Sequence, residues 1–109
     1  MAISHLSSGQ VCPLLPSSVA IDNLQSIALF KDPHLEVIRM ILPVGKSIPP
    51  HHVRGAMTIQ CLIGEVLSKT DQQEQVLRTG DLQYLAGGVE HQLHANQDSA
   101  LLVTICLLS

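Results

Sequence analysis

Apolar and polar residues alternate along most of the chain in short runs, and the runs are separated by turn-forming residues. The runs fall at residues 26–30, 35–42, 57–63, 65–68, 74–77, 82–85, 90–94 and 100–107. Between them stand KDP, PVGK, the single Gly64, TDQQ, TGD, AGG and ANQD, each with the chemistry of a turn. The runs are rich in Val, Ile, Leu and Thr, and no window sustains a helical period with caps. This predicts an all-β sandwich or barrel, in which closing the sheet removes exposed edges. An immunoglobulin-like sandwich would call for a buried Trp and paired cysteines, and the chain has no Trp. The first 25 residues, with Pro13 and Pro16 flanked by serines, predict an irregular arm lying over a barrel of residues 26–109.

The same alternation limits which histidines can meet. His5 and His34 fall in the arm and in a turn, where solvated surface roles are expected. The other four form two clusters, His51–His52 and His91–His94, each following a Gly/Pro-rich turn. In a strand, residues i and i+2 share a face and i+1 points away. If His51 points inward, so does Val53, and His52 points out. If His91 points inward, so do Leu93 and Ala95, and His94 points out. Two inward histidines are therefore expected, and a third would need His52 turned inward by a bulge.

Met57, Ile59, Cys61 and Ile63 share a parity and predict an apolar wall, with core packing as their first role. Cys61 is a nucleophile only if a base lies beside it. Tyr84 shares a face with Leu82, opposite Gln83, so its ring is expected inside as a core phenol or a pocket donor. Arg39, within the apolar run VIRMIL, must reach water or a carboxylate such as Glu36, Glu65 or Asp81.

Composition narrows the function classes. A chain of 109 residues fits one domain. Its 14% charged residues fall well below the usual quarter or so, which points to an apolar face hidden in a homodimer. A net charge of −3 and 2% aromatics offer neither a basic face nor stacking platforms, which argues against nucleic acid. Three cysteines without a paired spacing suit a reducing compartment. The start MAISHLSSGQ lacks the charge and apolar core of a signal peptide, and the apolar run at 100–108 is far shorter than the ~20 residues of a membrane span. The expectation is a soluble, cytoplasmic protein.

Two spaced patterns then carry a family resemblance. Gly45, five residues, His51, and Gly64 further on resemble the first motif of the cupin superfamily; Gly80, Gly88 and His91 resemble the second. The resemblance spans roughly residues 35–107 and implies a double-stranded β-helix, the cupin jelly-roll barrel. It also implies a pocket around His51 and His91, with Met57, Cys61 and Tyr84 as further lining. Metal-binding cupins hold Mn, Fe, Ni, Zn or Cu with two His and one Glu from the first motif and one His from the second. Here Val53 stands at the second His position and Met57 at the Glu position, leaving His51 and His91, with His52 as a less suited third ligand. The loss of two ligands favours binding of a compact polar molecule, such as a carboxylate or sugar-like compound, by a homodimer. The resemblance also implies two alternatives: a metal-dependent enzyme of the dioxygenase or isomerase type, and a sensor or regulatory module acting on a separate partner.

Overall fold

Strand β4 (Met57–Ile63) shows how the sequence makes this fold. Its alternate residues Met57, Ile59 and Cys61 are buried and the residues between them are not, the period-2 pattern of a half-buried strand. Strand β8 (His91–Ala95) repeats the pattern with His91, Leu93 and Ala95 inside, and β9 (Ser99–Cys106) with Leu101 and Val103. These inward sets merge into one core between two sheets. Each fully buried aliphatic side chain there contributes about 1.5–3 kcal/mol relative to exposure.

The computed structural model describes residues 5–16, 20–71 and 73–108. Residues 1–4 and 17–19 of the expected arm, and residue 72 of the expected TDQQ turn, lie outside the described residues. The remaining strands are β1 (Ile27–Lys31), β2 (Leu35–Leu42), β3 (Ser47–His51), β5 (Glu65–Thr70), β6 (Glu74–Arg78) and β7 (Leu82–Leu85). The larger sheet has the order β1-β2-β9-β4-β7 and the smaller β3-β8-β5-β6, with every pairing antiparallel. This is the all-β architecture expected from the pattern, in the double-stranded β-helix form that the family resemblance implies. Among the described residues there is no α-helix, and no helix long and apolar enough to cross a membrane.

Strand β3 does not stand out in the pattern. Its sequence SIPPH reads as a turn because Pro49 and Pro50 lack N–H donors. It survives as a strand because it is an edge, paired only with β8, where absent donors leave no ladder bond broken. The β1 edge of the larger sheet is covered differently: the arm runs beside β1, and the Leu6 N–H donates to the Leu29 carbonyl at 2.8 Å.

Charge is divided between the two sheets. Strands β9, β4 and β7 contain no charged residue. The smaller sheet carries two cross-strand ion pairs, Lys69–Glu74 at 3.2 Å and Arg78–Glu65 at 3.3 Å. Arg39 makes neither of the expected contacts, since it is 4% exposed and reaches no carboxylate among the described residues. It lies on the outer face of β2 beneath the arm, where Nη1 donates to the Leu14 carbonyl at 3.2 Å. Its neighbours Met40 and Leu42 point into the core instead.

Candidate functional site

The two histidines expected to converge sit opposite one another on neighbouring strands. His91 opens β8 on the inward face and is 2% exposed. Its register partner on β3 is His51. Regular alternation alone would not place them together. Ile48 pairs with Leu93, and the next paired residues are His51 and His91, three residues on along β3 against two along β8. That register shift is a bulge, which removes one residue from the count and turns His51 rather than Pro50 toward His91. The ring centroids lie 4.4 Å apart with the planes tilted by 53°. His51 remains exposed at the barrel mouth, so the pair runs from solvent into the interior.

Backbone carbonyls set the tautomers. His51 Nδ1 lies 3.3 Å from the Pro49 carbonyl and His91 Nδ1 lies 3.2 Å from the Val89 carbonyl. A carbonyl only accepts, so in the neutral form of each ring the Nδ1 carries the proton and the Nε2 the lone pair. Burial pushes the His91 imidazole below its ordinary pKa; the Val89 hydrogen bond opposes this and the neighbouring His51 adds to it. His91 is thus a neutral imidazole with an accepting Nε2 near neutral pH.

Two loops hold the ends of these strands. The Gly88 N–H donates to the Val53 carbonyl at 2.8 Å, tying the loop before β8 to the loop after β3. Gly87 lies so close that a Cβ there would run into the Arg54 carbonyl oxygen. A depression of about 200 Å³ opens beside His91, between Pro50, Lys69, Asp71, Glu90 and Gln92. Its size is below the roughly 300–1,000 Å³ of sites for drug-sized ligands, and His51 is not part of its lining.

The other expected site residues fall elsewhere. Met57 is 5% exposed and packs in the core cluster, at the start of β4. Cys61 is fully buried and lies four residues further along β4, roughly 13 Å toward the β4–β5 turn. Its Sγ approaches the Gly64 carbonyl at 3.6 Å, and burial together with the Asp81 charge raises its pKa. It is a protonated core thiol with no histidine beside it, not a nucleophile. His52 is exposed and joins no cluster with His51 and His91. His94 points out, as alternation requires, and meets the Ser47 hydroxyl at 2.6 Å.

Tyr84 corrects the expectation for β7. It is 67% exposed and Leu82 is 64% exposed, so the face read as inward is the outer one. Gln83 points inside, paired with fully buried Ile59, and its Oε1 accepts a 2.7 Å hydrogen bond from the buried Ser68 hydroxyl. This interior polar pair escaped sequence reasoning. The signal for half of it was present, since Ser68 shares a parity with Val66 in β5.

A family model for the cupin domain matches residues 38–107. The chain belongs to the cupin family. Its fold is similar to that of a conserved protein of unknown function from Streptococcus pyogenes, at 21% identity and TM-score 0.79, covering 99% of this chain and 98% of that one. A cupin superfamily protein from Desulfitobacterium hafniense is similar at 16% identity and TM-score 0.79, covering 99% and 100%. A variant of salicylate 1,2-dioxygenase from Pseudoaminobacter salicylatoxidans is similar at 19% identity and TM-score 0.64, over 67% of this cupin but 21% of the enzyme. At these identities the likeness is one of fold. No curated protein matches the sequence.

Cupins often bind metal, and the donor set here can be tested against that. Two imidazoles with free Nε2 lone pairs are in place, but the other two motif positions hold Val53 and Met57. Among the described residues no three His, Cys, Asp or Glu side chains come together to hold an ion. Two neutral ligands without a carboxylate fall short of the three or four protein ligands of an ordinary site. The described residues supply two ligands to such a site and do not complete it.

Proposed function

We propose that this cupin binds a compact polar molecule, of the carboxylate or sugar-like class, at the barrel mouth in contact with His51 and His91. The observation that carries the reading is the imidazole pair itself, with both Nδ1 groups committed to backbone carbonyls and both Nε2 atoms free to accept. A ligand hydroxyl would donate to the His91 Nε2, and His51 would complete the contact from the solvent side. The same pair can transfer a proton without a metal. The reading includes a homodimer working in the cytoplasm. It is tested by following the histidine side-chain NMR signals while small carboxylates and monosaccharides are added. Saturable shifts of both rings that vanish in His51→Ala and His91→Ala variants are expected; a panel that leaves both rings unmoved removes the proposal.

One observation favours a second reading, a metal-dependent enzyme of the dioxygenase or isomerase type. An imidazole whose Nδ1–H is held by a carbonyl is oriented as metal-binding histidines are. Metal analysis of protein made without an affinity tag separates the two. Stoichiometric Mn, Fe, Ni, Zn or Cu that disappears in the His51→Ala/His91→Ala double variant would establish the second reading and end the metal-free one.

A further inference from the structure

The outer face of the smaller sheet carries a histidine contact of a different kind from the pair at the barrel mouth. Register places Ser47, His94 and Leu67 in one row across β3, β8 and β5, with Gln92 and Lys69 in the next row. His94 is exposed, on the face of β8 opposite to His91. The Ser47 hydroxyl lies 2.6 Å from His94 Nδ1, the reach that a nucleophile and its base require. His51 and His91 turn Nδ1 toward carbonyls, which only accept. His94 Nδ1 instead meets a hydroxyl, which can donate, and that hydroxyl makes no other hydrogen bond among the described residues. The tautomer with its proton on Nε2 leaves Nδ1 to accept the Ser47 proton.

The two residues stand directly opposite one another on neighbouring strands, so sheet register holds the pair where other such pairs use a third side chain. Beside them is a hollow of about 290 Å³ lined by Ser47, Leu67, Lys69, Gln92, Leu93 and His94. Leu67 gives it an apolar wall, and the Lys69 ammonium and Gln92 amide give it hydrogen-bond donors. Lys69 is held on this row by its ion pair with Glu74 at 3.2 Å.

We propose that Ser47 and His94 are a nucleophile and its base, and that they cleave small activated esters on the outer face of the barrel. Ser47 Oγ attacks the ester carbonyl carbon while its proton passes to His94 Nδ1, and the carbonyl π pair moves onto oxygen. Lys69 and Gln92 are the donors lining the hollow where that charge develops. Collapse of the intermediate expels the alcohol oxygen, which takes the proton from His94 and leaves an acyl ester on Ser47. Water then gives a proton to His94 Nδ1 as its oxygen attacks the acyl carbon. Ser47 Oγ leaves with that proton, and the products are a carboxylic acid and an alcohol. The hollow is smaller than the roughly 300–1,000 Å³ of sites for drug-sized ligands, which limits the acyl group to a short one. The site shares no residue with the His51–His91 pair, so it stands or falls apart from the binding reading above.

The experiment treats the protein with an alkyl fluorophosphonate, whose phosphorus an activated serine attacks with loss of fluoride, and locates the adduct by peptide mass spectrometry. Hydrolysis of p-nitrophenyl acetate is followed in parallel by absorbance. An adduct on Ser47 is expected, together with ester hydrolysis that Ser47→Ala abolishes. His94→Gln keeps a polar side chain but supplies no base, and should slow both labelling and hydrolysis by about a hundredfold. Labelling of another residue, or of none, overturns the proposal. So does ester hydrolysis at an equal rate in Ser47→Ala, which is the background of exposed imidazoles. Both positions are exposed, and should either variant still fail to fold, the position of the wild-type adduct decides alone.

Discussion

Replacing Ser68 by Ala tests the interior of the barrel where structure and sequence pattern disagree. The Ser68 hydroxyl is fully buried and donates at 2.7 Å to Gln83 Oε1, which reaches it from the opposite sheet. Deleting the donor strands a carbonyl oxygen inside the molecule, at a cost of about 1–3 kcal/mol. Gln83 is only half-buried, so water relieves part of the loss and the lower half of that range applies. At about 4–8 °C per kcal/mol for a domain of this size, Tm falls by roughly 4–16 °C. Gln83→Leu has a similar cost, because it leaves the Ser68 hydroxyl without its acceptor. The double variant removes donor and acceptor together and should lie within about 0.5 kcal/mol of the better single variant, giving a coupling of about 1 kcal/mol. Urea unfolding of the four proteins at neutral pH measures the cycle. Strict additivity, or single variants each within about 0.3 kcal/mol of wild type, would show that Gln83 does not point inside, and the assigned faces of β7 would be reversed.

Three further outcomes follow from the site and its supports. His91 is buried with a lowered pKa, so the unfolded chain takes up a proton first as pH falls. Its contribution is complete above about pH 6.5 and declines below it, toward the lower folded-state value; His91→Phe should flatten that part of the stability–pH profile, and an unchanged slope would contradict the assignment. Cys61 should stay unmodified by a thiol reagent in the native protein and react only on unfolding, as read by peptide mass spectrometry; labelling at the rate of a free thiol would place it outside the core. Gly87→Ala drives a methyl into the Arg54 carbonyl and should destabilise by about 1–3 kcal/mol in urea unfolding, with no effect if the two loops are free to separate.

Much of the barrel was legible because alternation is a local property. His91, Leu93 and Ala95 face inward and His94 outward, as a simple count along the strand requires. The ends of β4 and β7 coincide with their apolar runs because the flanking turn residues mark them. Local pattern was insufficient where pairing overrides it. Strand β3 is hidden by prolines that only an edge position tolerates. In the four residues of β7, one leucine lies on each face, so hydrophobicity alone favours Tyr84 inside. The register of Gln83 opposite Ile59, and a hydroxyl waiting on β5, reverse that choice.

The histidine pair divides in the same way. The spacing of Gly45, His51, Gly80, Gly88 and His91 was enough to mark the family and the two imidazoles, since turn glycines and strand lengths are written along the chain. It could not show that a bulge removes one residue from the β3 count and lays His51 against His91. Nor could it separate Cys61 from the pair, because shared parity says which face a side chain takes and not how far along the barrel it lies. Those facts belong to the pairing of distant strands, which burial of a common core settles and no local run of residues contains.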